Sequence, residues 1–412
     1  MTDSRNIHLA LEVQLPRGGA KGRGRGRDAC PFRGRVSPTT LALLSLLAAS
    51  PPASGLETVA ELPQRPGAIA LVGPRVFVAL HPLGNPDFKL LELLPGGRRA
   101  PYPSGVLSRA FSAVTALDSD GADGLWILDA GGEGKPPRLS GWNTADERQL
   151  RALRIPATAV RSNSWLCALA VDRRHDVAYV ADRSRADWTG DSHPALLVIS
   201  LKTGETRRLL EDHPALEPDA QPISVDRRAV AHRELDGSVE KLRLGVSQLS
   251  LDPSGSFLYL AALNGGAVWR VRTRDLVDTT LAPEELADRI ESHAERPSGT
   301  GLVAWDDGRV LLADVEGHAL RLASPSGQTV LVEDPRLQWP DGLARGPEDW
   351  VYLTVNQLNL HPELNRGTEE SRPPYGVFRI RVPRGVPLRI PSTVTPRDAG
   401  SGRVGDPRPD AG

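Results

Sequence analysis

Apolar residues in this chain fall into short runs separated by polar turns of Asp, Gly, Ser and Pro, a pattern that predicts β-hairpins. Val114-Thr-Ala-Leu-Asp118 is followed by a turn over Ser119 to Asp123 and by Gly124-Leu-Trp-Ile-Leu-Asp129. The same design returns in Ala168 to Asp182, in Leu249 to Ala262 around Asp252-Pro-Ser-Gly255, and in Leu302 to Asp314 around Asp306-Asp-Gly308. Weaker copies run from Ala68 to Leu80 and from Gly342 to Val355, which makes six units. A third apolar strand follows each pair: Phe88 to Leu93, Arg138 to Trp142, Leu196 to Leu201, Ala267 to Val271, Ala319 to Leu322 and Gly376 to Val382.

The equivalent positions Leu80, Asp129, Asp182, Ala262, Asp314 and Val355 are spaced 49, 53, 80, 52 and 41 residues apart. Four-stranded propeller blades repeat at roughly 40 to 50 residues, so the pattern predicts an all-β fold, a six-bladed β-propeller. One spacing carries about 30 extra residues, near Asp212 to Leu244. Runs such as Leu166 to Val171 are apolar without alternation, as expected of inner strands covered on both faces. Ring closure is expected to use Glu57 to Leu62 as the outer strand of the last blade. The propeller should occupy residues 56–385, and the Pro-, Gly- and Arg-rich tail 386–412 should be disordered. Tight turns within the hairpins lie on one face. The long connections Ala130 to Pro137, Arg183 to Pro194 and Asn356 to Pro374 lie on the other, the expected working face.

Composition narrows the class. With 50 Lys+Arg against 51 Asp+Glu in 412 residues, the chain has no general case for a nucleic-acid partner. Its longest apolar run, Leu41 to Ala49, is too short for stable membrane insertion. Charge is uneven: residues 1–37 hold eight basic and three acidic side chains, a net +5, which leaves −6 elsewhere. A basic extension over 1–37, the apolar core inside 38–55 and small residues up to Gly55 have the order of a secretory signal, so a secreted or periplasmic protein is expected. The alternative is a plain disordered basic extension. Only Cys167 would stay in an exported chain; inside an apolar run it reads as a buried small side chain.

Candidate chemistry follows from the loop sorting. Three second strands end in Asp129, Asp182 and Asp314, and the last ends at Asn356-Gln357. Asp341 opens the first strand of blade six. Trp165, Trp188 and Trp339 belong to the same face, where rings can stack on a ligand. The competing role for each Asp is to cap the turn beneath it, and for a Trp to pack between blades. Converging carboxylates would take up a cation, a protonated amine or a proton. No HExxH, GxSxG or Walker A pattern is present, and the nine His are scattered.

Several segments, in order, carry a resemblance. Gly124-Leu-Trp-Ile-Leu-Asp-Ala-Gly131 with Pro136-Pro-Arg-Leu139, Ala178-Tyr-Val-Ala-Asp182, and Leu258-Tyr-Leu260 with Val268-Trp-Arg270 resemble the major royal jelly protein/yellow family. Gln338-Trp-Pro-Asp-Gly-Leu343, Val351-Tyr-Leu-Thr-Val-Asn-Gln357 and Pro374-Tyr-Gly-Val-Phe-Arg379 are similar to its bacterial branch. The resemblance implies a secreted six-bladed propeller and, from insect members, dopachrome conversion, nutritive roles or capture of biogenic amines. A more distant likeness to the gluconolactonase/senescence-marker-protein group would imply a divalent metal held by Glu, two Asn and Asp. Asp341 falls at that Asp, but Pro66-Gly67 lacks the Glu, Gly245 replaces an Asn, and Asn163 is too far from Asp172. No cofactor is certain; Ca²⁺ is the metal that oxygen ligands would suit. The expected function is binding of a small ligand, aromatic or amine-bearing, by a monomer at the channel mouth. The alternatives are a ring isomerase or tautomerase of dopachrome-converting type and a metal-dependent lactonase.

Overall fold

The structure, a computed structural model, describes residues 55–132, 134–186, 188–233, 236–382 and 385. The expected basic extension, all but the last residue of the signal region, and the tail lie outside them. Six four-stranded antiparallel sheets form a six-bladed β-propeller. Blade one comprises Pro66–Val72, Arg75–Leu80, Leu90–Leu94 and Arg98–Pro101; the next four blades begin at Val114, Leu166, Val246 and Leu302. Blade six takes Pro340–Arg345, Trp350–Val355 and Tyr375–Arg381 from the end of the chain and its outer strand, Glu57–Leu62, from the beginning. The ring is thus closed by backbone pairing, with Glu57 opposite Arg379 and Leu62 opposite Tyr375.

Second strands such as Gly124–Asp129 and Val177–Asp182 are buried along their whole length, because neighbouring blades cover both faces. One apolar cluster lies between each neighbouring pair of blades, for example Phe77, Leu90, Leu125 and Ile127 between one and two. Hairpin turns follow their sequence: Gly255, at φ +65°, closes the Asp252 turn, whose carboxylate accepts from Ser256 N (2.8 Å) and Phe257 N (3.0 Å). No helix among the described residues is long and apolar enough to cross a membrane.

The extra residues between blades three and four form a cap. Two short hairpins, Ser224–Val225 with Arg228–Ala229 and Ala231–Arg233 with Val239–Lys241, lie on the long-loop face. Ile223, Val225, Val230, Leu242 and Leu244 pack there against Leu263, Val315, Trp339, Leu358 and Leu364, which come from blades four, five and six. Buried Asn264 pins the cap: its amide donates to Gln221 O (3.1 Å) and Leu242 O (3.0 Å), and its oxygen accepts from Leu244 N (3.0 Å). Ala231 also bridges to Asn365 in parallel.

Candidate functional site

Inner strands of all six blades line one axial cavity of about 1420 Å³, and the cap covers its long-loop end. Backbone irregularity decides which side chains enter it. In five of the six blades the first strand shifts register near its start, at Pro66/Ile69, Val114/Ala116, Leu166/Ala168, Val246/Gln248 and Pro340/Leu343. A bulge takes residues out of the ladder, and those left out here, Gly67-Ala68, Thr115, Cys167, Ser247 and Asp341-Gly342, all line the cavity.

Asp341 is therefore a cavity carboxylate by construction. Asn356 Nδ2 donates to its Oδ2 (2.8 Å), while Asn356 Oδ1 accepts from Leu358 N (3.1 Å) and Asn356 O accepts from the buried Arg65 guanidinium. Burial pushes the Asp341 acid up to about 6; hydrogen bonds from Thr300 and Asn356 and the charge of Arg65 hold it from rising further. Asn356 is wholly buried and orients Asp341 from behind. Gln357 points elsewhere, bonding Arg372 through both its amide and its carbonyl.

The other three predicted carboxylates do not join it. Asp129, Asp182 and Asp314 sit on second strands, away from the cavity, and each is consumed locally. Asp129 accepts from Ala113 N (2.8 Å) and Gly131 N (3.2 Å) and pairs with Arg138 (3.1 Å). Asp182 accepts from Ser164 Oγ, Trp165 N (3.0 Å) and Ser184 N (2.9 Å) and pairs with Arg208 (2.7 Å). Asp314 accepts from Glu316 N (3.1 Å) and Gly317 N (2.8 Å) and pairs with Arg321 (2.6 Å). Each knots a loop to its own blade, so the expected four-carboxylate cluster does not form.

The tryptophans divide too. Trp339 edges the cavity but is 0% exposed, sealed under the cap, its Nε1 without a hydrogen-bond partner among the described residues. Trp165 and Trp188 line the cavity with part of their surface uncovered. Against them lies Arg183, 5% exposed, its Cζ 4.5 Å from the Trp188 ring centroid and 5.5 Å from that of Trp165. Burial lowers Arg183 to about 10, so it stays charged at neutral pH.

Sequence reasoning did not find Arg183, nor His81, which also lines the cavity. His81 Nδ1 accepts from Leu83 N (3.2 Å), which leaves the proton on Nε2. Burial and the nearby charges of Arg65, His361 and Arg183 drive its pKa down to about 3, so the ring is a neutral donor at working pH. Cys167 is pushed up to about 12 by burial and stays a thiol. The one sequence signal for this layer was the long spacing that encodes the cap.

This donor set does not fit a divalent cation. Ca²⁺ takes 6–8 oxygens, whereas the capped half offers Asp341, exposed Glu363 at its rim, and the charged guanidinium of Arg183. No group of three or more metal-ligating side chains occurs among the described residues.

Comparison with known proteins agrees with the fold. A family model described as major royal jelly protein matches residues 112–357. No curated protein matches the sequence significantly. A gluconolactonase from Xanthomonas campestris is similar in structure at 12% identity and TM-score 0.50, over 79% of this chain and 89% of that one. A luciferin-regenerating enzyme is similar at 11% identity and TM-score 0.48, over 81% and 97%. Regucalcin, a calcium-binding protein from Agrobacterium tumefaciens, is similar at 12% and 0.45, over 78% and 93%. At 12% identity the likeness to the gluconolactonase extends to the propeller fold alone.

Proposed function

Since this chain belongs to the major royal jelly protein family, we propose that it binds a small ring-bearing ligand in the capped half of the axial cavity. The observation that carries this reading is the bulge that turns the Asp341 carboxylate into the same cavity that the partly uncovered Trp165 and Trp188 rings line. An amine or other donor on the ligand would meet Asp341, and the ring would replace water on apolar and aromatic walls. A thermal-shift screen of aromatic amines, quinone-type rings and lactones, with and without Ca²⁺, tests it. Aromatic amines should raise the melting temperature of the wild type and not that of Asp341→Asn. Equal shifts in both proteins, or stabilisation only by lactones with Ca²⁺, would count against it.

A second reading, ring isomerisation or tautomerisation, is favoured by one observation. Asp341, near pKa 6, can exchange a proton with a ligand, and His81, a neutral donor lining the same cavity, can hydrogen-bond an oxygen on which charge develops. Spectrophotometric turnover of a catechol-derived quinone, absent in Asp341→Asn, would favour it over simple binding. We propose further that the protein works outside the cytoplasm, from the basic stretch and apolar core ahead of Gly55. Fractionation of the native host should find mature chain beginning near Gly55; cytosolic chain with an intact N-terminus would contradict this.

A further inference from the structure

We infer that Arg183 is an anion-recognition site, so that the ligand of this cavity carries an acidic group, a carboxylate, on its ring system. The inference rests on the binding function proposed above and adds the ligand's charge. Other buried or half-buried arginines bond the protein through several donors. Arg208 pairs with Asp182 (2.7 Å) and Glu211 (2.9 Å) and donates to two carbonyls. Arg296 is held by the carbonyls of Ala262, Leu263 and Gly299, and Arg65 by Asn356 O and Ser371 Oγ (3.0 Å). Arg183 makes one long bond, Nη1 to Arg185 O at 3.4 Å, and among the described residues pairs with no carboxylate. The acid next to it in sequence, Asp182, is committed to Arg208 and to the Ser164–Trp165 and Ser184 groups.

Position turns this into a site. Arg183 N donates to Trp165 O (3.1 Å), which fixes the residue, and its side chain lies against the Trp165 and Trp188 rings at the cavity wall. Stacking uses the face of a guanidinium and leaves its edge, a planar fork of N–H donors, for a partner that is itself planar and bidentate. A carboxylate is that partner. His81, with its proton on Nε2, lines the same cavity and adds a neutral donor, while Asp341 supplies the opposite preference. A ring bearing an acid toward Arg183 and a donor toward Asp341 would satisfy both.

Calorimetric titration with three indoles decides the matter: indole-3-propionate, its carboxamide, and tryptamine. Wild type should bind the acid at least about tenfold more tightly than the carboxamide, as expected for a charge-assisted bidentate contact. Arg183→Gln should erase that preference, and Arg183→Lys should keep part of it. Equal binding of acid and carboxamide by wild type, or a preference that survives in Arg183→Gln, would overturn the assignment. If Arg183→Gln does not fold, the acid-to-carboxamide ratio of the wild type decides alone. Tryptamine binding that is lost in Asp341→Asn, together with indifference between acid and carboxamide, sinks the anion site and spares the binding function. No binding of any of the three sinks both.

Discussion

Asp182→Asn separates a turn cap from a buried ionic knot. The wild-type carboxylate is 0% exposed and receives Ser164 Oγ, two backbone amides and Arg208. Asparagine keeps one acceptor oxygen, which can serve Trp165 N and Ser184 N. Its NH₂ would then face the Arg208 guanidinium, donor against donor, while the Ser164 hydroxyl can turn to accept. Breaking a buried pair by removing one partner costs about 3–5 kcal/mol. Arg208 keeps Glu211 (2.9 Å) and the carbonyls of Ala159 and His193, so the low end, about 3 kcal/mol, is expected. A simple turn cap would cost about 1 kcal/mol. Urea unfolding followed by tryptophan fluorescence measures the difference at constant slope. A loss at or below about 1 kcal/mol would show that the Asp182–Arg208 pair adds nothing to the cap and would refute the reasoning.

Three further outcomes follow from the same contacts. Burial raises the Asp341 acid from 3.8 to about 6, so the native state holds a proton between those values that the unfolded chain has lost. Its contribution is therefore greatest at low pH and disappears as pH rises through 6; the melting temperature of Asp341→Asn relative to wild type should climb between pH 4 and 6 and then level off, and a constant difference would contradict the shift. Trp339→Ala should cost about 3–5 kcal/mol by opening a cavity beneath the cap, and a loss under about 1 kcal/mol in urea would mean the cap is not packed on that ring. A chain lacking residues 55–62 loses the outer strand of blade six and the Glu57–Arg379 pair, and should melt several degrees lower; an unchanged melting temperature would contradict closure by that strand.

The propeller was legible because its signal is local and repeated: apolar strand, Asp–Gly turn, apolar strand. Even closure by Glu57–Leu62 could be placed, since the last blade lacked a fourth strand. Asp341 was legible by position, although the bulge that aims it was not. The fates of Asp129, Asp182 and Asp314 depended on Arg138, Arg208 and Arg321, which reach them from later strands and cannot be told in sequence from any other arginine. Trp339 seemed available because its coverage comes from Ile223 to Leu244, about a hundred residues earlier. Arg183 was missed for a related reason: whether a guanidinium meets a counter-ion is a property of the packed molecule, and among the described residues Arg183 meets none.

A crystal structure of the protein soaked with tryptamine tests the central claim most directly. The account predicts the indole in the capped half of the cavity, beside Trp165 and Trp188, with its ammonium about 3 Å from the Asp341 carboxylate. Tryptamine bound at the hairpin-turn end or on the outer surface, with the capped half holding only water, would contradict it.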